Sequence, residues 1–313
     1  MSTPTVLAVP LAVQLLLAPS SAGAQARRAS AAPTTLVSFD DPDAWTAAPS
    51  DGVRLALRPD SGIGGRATRF EFDFQGHAGY AVARHAFTPP PLPPHWAMTL
   101  RVRGAALPNT LELKFIDASG QNVWWMRKVP LTVTSEWQTI RFRTSDLSFA
   151  WGPLGGGAPH GLASIEIAIT AGAGGAGWID LDDLTLVPLP LPVAESVRPR
   201  VTVSSVASGA TPESLLPVDF ARAPGRVAPT PASGWRSSGD SDQQITFDFG
   251  GPRELSGLVL DWDAADWATD YDIQQSDDGA HWTTIREVHG SAGGRRFVHL
   301  PELESGWLRL ALH

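Results

Sequence analysis

Residues 269–288 read "TDYDIQQSDDGAHWTTIREV". Tyr271 and Ile273 alternate with Asp272 and Gln274, the period of a half-buried strand. "SDDGAHW" then supplies turn chemistry: Asp caps nearby backbone and Gly accepts positive φ. Alternation resumes over "HWTTIREV" (281–288). Two such runs joined by such a turn predict an antiparallel hairpin.

The same pattern extends outward in both directions. Towards the C-terminus lies "GWLRLAL" (306–312), and before the hairpin lie "QITFDFG" (244–250) and "LSGLVLDW" (255–262). Much earlier come "FEFDF" (70–74), "MTLRVRG" (98–104), "LELKFID" (111–117), "SIEIAIT" (164–170) and "WIDLDDLTL" (178–186). Gly- and Pro-rich clusters such as "GPLGGGAPHG" (152–161) and "AGAGGAG" (171–177) separate them. No stretch of ten or more residues carries a helical period. Many short strands with such turns predict an all-β chain of antiparallel β-sandwiches. "LVPLPLPVAESVRPR" (186–200) reads as an extended linker, since alternating Pro stiffens a chain. The expected organisation is therefore two sandwiches in tandem, 36–187 and 201–313, joined by the Pro-rich residues 188–200.

The second half carries recognisable features. Trp235 and Ser237 precede the first core strand, and Asp248-Phe249-Gly250 ends it. Tyr271-Asp272-Ile273 leads to Ser276-Asp277-Asp278-Gly279, then Trp282, with Arg309 in the last strand. Here the chain resembles the discoidin, or factor V/VIII type C (F5/8 type C), family. The resemblance implies a jelly roll that binds glycans through loops at one end. On that reading Asp266 and Trp267 are ligand candidates, while Trp262 and Trp282 suit the core. The family continues past the "LRL" strand into a closing strand. The resemblance therefore implies that 201–313 lacks its last strand and that a larger protein continues beyond it.

The first half opens with "LVSFDDPDAW" (36–45) and closes with "GWIDLDDLTL" (177–186). These ends are similar to those of carbohydrate-binding jelly rolls of the galactose-binding-like fold. In such modules acidic groups near the first and last strands often hold a structural Ca²⁺. Calcium takes six to eight oxygens, several of them carboxylate. Asp40 and Asp182 are the best candidates, with Asp41, Asp180 and Asp183 beside them; the alternative is that these Asp face water. The combination of "DASGQNVWW" (117–125), "EWQTIRF" (136–142), "SFAWGP" (148–153) and "IEIAITAGAGGAGWIDLDDL" (165–184) also resembles N-terminal regions of large bacterial secreted proteins, in which a discoidin-like domain and then a glycoside-processing domain follow. A C-terminal catalytic domain is an implied partner.

Trp is the compositional anomaly, at 12 residues against 2 Tyr. Trp124 and Trp125 adjoin, so a strand sends them to opposite faces. Val123, Trp125, Arg127 and Val129 make the more apolar set, which points Trp125 inward and Trp124 outward. An outward indole flanked by Asn122 and Lys128 suits a sugar, whose apolar face stacks while hydroxyls find polar neighbours. Arg101, Arg103, Glu112 and Lys114 are outward positions on strands that could share that sheet. The alternative is that Trp124 packs under the loop containing Trp151.

Residues 1–26 carry no charged side chain. An apolar run from Val6 to Ala18 followed by Ala24-Gln25-Ala26 fits a cleavable leader, although no Lys or Arg precedes the run. This predicts a signal peptide over 1–26 and a secreted or periplasmic protein. The run is short for a membrane span. Absence of Cys excludes disulfides, thiol nucleophiles and Cys-zinc sites. A formal net charge of −8 without a basic cluster argues against nucleic acid. No nucleophile-elbow, zincin or phosphate-loop motif is present. Glycoside hydrolysis needs two carboxylates across a cleft, and Glu112 with Glu166 is the one pair worth naming. The expected function is non-catalytic binding of a polysaccharide or glycan. A structural or adhesive module on a protein or cell surface is the alternative, because one fold hosts both uses.

Overall fold

The computed structural model describes residues 11–17, 32–194, 197–216, 234–239 and 241–313. The chain divides into two compact units. One is Arg28–Pro190; the other is Leu191–His313 together with the N-terminal segment. Both are antiparallel β throughout. The remainder of the expected leader lies outside the described residues, but Leu11–Leu17 (β1) is a strand and belongs with the second unit.

The first unit contains Thr34–Val37 (β2), Trp45–Ala47 (β3), Arg54–Ser61 (β4), Arg66–Asp73 (β5), Tyr80–Ala86 (β6) and Trp96–Ala105 (β7). It continues with Asn109–Asp117 (β8), Val123–Leu131 (β9), Gln138–Arg143 (β10), Ser148–Trp151 (β11), Leu162–Thr170 (β12) and Ala176–Pro188 (β13). One sheet runs β10-β7-β13-β5-β4, with β2 beside β13; the other runs β11-β9-β8-β12-β6-β3. The alternating apolar residues meet between them. Phe70, Met98, Leu100, Leu111, Leu113, Ile167 and Ile179 are wholly buried in one core. Period-2 patterning thus becomes a sandwich because each strand hides one face.

The second unit contains Arg200–Val203 (β14), Gln243–Trp262 (β15), Tyr271–Ser276 (β16), Thr283–Val288 (β17) and Arg295–Leu312 (β18). β15 and β18 are long strands that pair twice. Gln243–Asp248 lies against the end of β18, and Arg253–Asp261 against its beginning, with bulges between. Gly250 at φ +73° lets the ribbon turn there. Ile245 and Phe247 from one half, and Leu258 and Leu260 from the other, enter one core with Trp235 and Tyr271. The hairpin that opened the sequence reading is β16–β17. Its turn is held by Asp278, whose Oδ1 accepts the N–H groups of Ala280 and His281 at 2.8 Å each. Gly279, at φ +75°, lies against the Trp307 ring, where a Cβ would come within 3.2 Å. β1 pairs antiparallel along β15, Leu11 opposite Trp262 and Leu15 opposite Leu258.

Candidate functional site

The tryptophan pair is settled by the β8–β9 hairpin. Residues directly opposed in an antiparallel pair share a face. β8 sends Leu113 and Phe115 into the core, and they stand opposite Met126 and Trp124. Trp124 therefore points inward and Trp125 outward, the reverse of the expectation. Trp124 is 1% exposed. Its indole N–H donates to the Gly157 carbonyl at 2.7 Å, and its ring meets Phe149 and His160 edge-on. It packs under the 149–160 loop and offers no surface to a sugar. Counting apolar residues on each face misleads here because Val129, which weighted the wrong side, is exposed.

Asn122 and Lys128 leave the expected site with Trp124. Asn122 is buried; its Nδ2 donates to Asp117 at 2.7 Å and its Oδ1 accepts the Leu154 N–H at 2.9 Å. It shapes the turn. Lys128 shares the inward side, paired with Asp146 at 3.8 Å and set over the Phe142 ring. Hydrogen bonds from Ser119 and then Asn122 hold the Asp117 carboxyl at about 2, well below the usual range.

The outward face of the same sheet is aromatic and charged. Trp125 lies beneath the Arg127 guanidinium at 4.5 Å and meets Trp151 edge-on at 5.8 Å. Trp151, a candidate from the sequence, is 48% exposed there, and Tyr80 across the sheet is 44% exposed. Between them, β8 contributes Glu112 and Lys114. Both side chains point away from the core, yet they are only 6% and 8% exposed. Outward groups are that hidden where neighbouring side chains rise around them. Lys114 Nζ sits 5.5 Å from the Tyr80 ring, 5.8 Å from the Trp151 ring and 3.1 Å from Glu112 Oε2. In the next positions across the sheet, Glu166 stands opposite Lys114 and accepts from Arg84 Nε at 2.9 Å. The result is a groove with aromatic walls and an internally neutralised polar floor. The carboxylates of Glu112 and Glu166 are thus each committed to a cation. Arg101 and Arg103 do not share this sheet. They lie on β7 in the other one, where Arg103 Nε donates to the fully buried Asp180 at 2.8 Å and its guanidinium stacks on Trp137.

Trp125, Tyr80 and Arg127 are groove residues that residue counting misses. The signal for Trp125 was present: Leu113 and Phe115 alternate unambiguously, and hairpin register carries their facing to β9.

Asp40 and Asp182 come together, although they are far apart in sequence. Asp182 is buried and its Oδ2 accepts the Ile63 N–H at 2.8 Å; Asp40 Oδ1 accepts the Arg66 N–H at 3.0 Å. Both carboxylates thus close on the turn between β4 and β5. Burial, then the charges of Asp183 and Asp40, push the Asp182 carboxyl up. Among the described residues no three acidic or His side chains are grouped to hold a metal.

In the second unit, Trp267 is partly buried against the core. Its indole N–H donates to the Ser291 carbonyl at 2.9 Å, and its ring packs on Gly293, where a Cβ would come within 2.7 Å. Asp266 pairs with Arg236 at 3.4 Å. These side chains tie loops together, so the expected stacking platform is not formed by Trp267. Trp262 is core, as expected.

Similarities to known proteins extend over parts of the chain. No curated protein sequence matches the chain. Among solved structures, a family 11 carbohydrate-binding module of the cellulosomal cellulase Lic26A-Cel5E of Clostridium thermocellum is similar at 15% identity. It covers 51% of this chain and 96% of its own, with a TM-score of 0.42. A family 30 carbohydrate-binding module of the cellulase Cel9D-Cel44B from the same organism is similar at 12% identity over 50% of this chain and 97% of its own, with a TM-score of 0.38. Chitosan-binding module 2 of a chitosanase/glucanase from Paenibacillus sp. IK-5, solved with chitotriose, is similar at 23% identity over 38% of this chain and 86% of its own, with a TM-score of 0.31. The family described as F5/8 type C domain matches residues 201–311. Its marks are those already placed: the Ser276–Gly279 turn, Trp282 and the strand of Arg309. The second sandwich is the part of the chain that matches the F5/8 type C domain family.

Proposed function

We propose that this chain binds a glycan without acting on it chemically, and that the groove of the first sandwich takes a neutral saccharide. One observation carries the reading: a buried Glu112–Lys114 pair faces outward between two half-exposed aromatic rings. Sugar rings present apolar C–H faces to aromatics and hydroxyls to polar groups, and binding pockets combine apolar walls with a few placed polar groups. The floor's charges cancel in place, which suits an uncharged ligand. The F5/8 type C domain alongside agrees with a binding role. Targeting of an attached or partner glycoside hydrolase completes the proposal, as does export directed by residues 1–26.

Calcium at Asp40 and Asp182 is part of the same proposal. Two carboxylates converge on one turn, and Asp182 carries a burden of like charge that a cation would relieve. With only two side-chain donors, main-chain carbonyls must complete the shell, which calcium accepts. Bound there, the ion would tie the last strand of the sandwich to the β4–β5 turn. EDTA is expected to lower the first unfolding transition of the whole chain, and added Ca²⁺ to restore it; no change on chelation rejects the ion.

The test of the groove is titration of the chain with neutral β-glucans, followed by tryptophan fluorescence and calorimetry. Trp151→Ala and Trp125→Ala are each expected to weaken binding about tenfold or more, the size of an aromatic anchor. Unchanged affinity in both variants, or binding to cells that excess glycan does not compete, favours the adhesive alternative.

A further inference from the structure

The outward face of the second sandwich carries a different constellation. Leu308, Leu310 and Leu312 of β18 enter the core, so Trp307 and Arg309 point away from it. Across the sheet, register sets one row in line: Thr202 opposite Thr246, Thr246 opposite Arg309, Arg309 opposite Gln274, and Gln274 opposite Thr284. Hydroxyl, amide and guanidinium groups thus span five strands without a carboxylate among them.

Arg309 is the centre of that row. Its guanidinium lies 4.0 Å above the Trp282 ring, and its Nε donates to Gln274 Oε1 at 2.8 Å. Gln274 is itself oriented, its Nε2 donating to Thr284 Oγ1 at 3.2 Å. The fork is therefore fixed in plane by an indole on one side and an amide at its edge. Trp307, half-buried, stands two residues along the same strand on the same face. Among the described residues no carboxylate pairs with Arg309. Two acids on this face have other partners: Asp248 Oδ1 accepts the Gly250 N–H at 2.8 Å, and Asp272 Oδ2 lies 3.4 Å from His313. Three other half-buried arginines differ. Arg69 and Arg103 share Asp180, and Arg295 holds Asp261 at 2.6 Å.

The geometry points to a second glycan site on this face, built around Arg309, Trp282, Gln274 and Trp307, whose ligand is a sugar bearing an oxyanion, carboxylate or sulfate. A planar, immobilised guanidinium with free Nη donors reads such a group bidentately. The indoles supply C–H stacking, and the flanking Thr hydroxyls reach sugar hydroxyls. Burial without an opposing charge also pulls the Arg309 pKa down, a cost that a bound anion removes. The inference stands on a different surface from the groove and does not depend on it.

The experiment is calorimetry of the whole chain with oligogalacturonate, with its methyl ester, and with a sulfated galactan oligosaccharide. The acid is expected to bind at least tenfold more tightly than the ester, with affinity falling as salt rises. Arg309→Gln is expected to remove that preference and Arg309→Lys to leave part of it, while Trp151→Ala leaves it whole. Sulfated galactan binding lost in Arg309→Gln supports the same site reading any oxyanion. Equal binding of acid and ester, or acid binding unchanged in Arg309→Gln, overturns the inference. Should circular dichroism show either variant unfolded, the wild-type chain decides: oligogalacturonate must shift the Arg309 Nε–H resonance, and an unmoved resonance overturns the inference. A chain that binds neutral glucan in the groove and no acidic sugar refutes this site alone.

Discussion

The aromatic faces of the two sandwiches settle their charges differently. In the first, the central cations Lys114 and Arg84 each meet a carboxylate, while the exposed Arg127 lies over Trp125 at the side. In the second, Arg309 lies on its aromatic ring and meets no carboxylate among the described residues. Both faces offer indoles to a sugar, so aromatic content alone does not separate them. The partner of the cation does. A neutralised floor selects against a charged ligand because a new anion would have to compete with one already seated. On the proposal above, a guanidinium at the centre of the face and without a carboxylate, as at Arg309, favours one.

Three perturbations sharpen that contrast by asking what the first face owes to packing and what to binding. The largest effect belongs to the adjacent tryptophans. Trp124→Ala should destabilise the first sandwich by about 3–5 kcal/mol, the cost of emptying a large buried site. Trp125→Ala, one residue away, should cost under about 1 kcal/mol and act on binding instead. Thermal unfolding of both variants checks this, and equal losses would break the division of labour. Next is Glu112→Gln. It leaves Lys114 on the groove floor without its counter-charge, at an expected cost of about 1–3 kcal/mol. It should also turn the groove towards acidic sugars, which calorimetry reads directly.

The smallest effect is a pH dependence at the β8–β9 turn. The folded-state pKa of Asp117 lies at about 2, below its unfolded value of 3.8. The unfolded chain thus binds the extra proton first as pH falls. The stability this group contributes is complete above about pH 4 and is lost on descent to about pH 2. Asp117→Asn should therefore melt below the wild type at neutral pH, and the gap should close by pH 2. A gap that persists at pH 2 would remove the carboxylate from this account.

Strand alternation made much of this molecule legible. Phe70, Met98, Leu113 and Ile167 lie where their period puts them, because a buried face admits no other residue type over so many positions. The turns were readable for the same kind of reason: Gly279 must take positive φ beside Trp307. The site was less legible. Trp124 and Trp125 look alike in composition, and only the register against Leu113 and Phe115 tells them apart. Arg309 alternates as an outward residue should, but nothing local announces that Trp282, just before β17, will lie beneath it. Trp267 shows the converse. Its loop lacks alternation, and tertiary packing on Gly293 took the ring inward. β1 was unreadable as a strand because a short apolar run has no period to give it away.

If residues 1–26 act as the proposed export leader, that strand makes export and folding rival claims on the same residues. The stretch Leu11–Leu17 suits a translocation machine as an apolar handle, and here it lies hydrogen-bonded along Leu255–Trp262. A chain that matured in the compartment of its synthesis would tuck its own address label into a sheet. A chain handed over while still unfolded keeps the label free, and cleavage then bares the β15 edge to whatever strand is next at hand. Timing, rather than affinity, decides which of these two proteins the cell obtains.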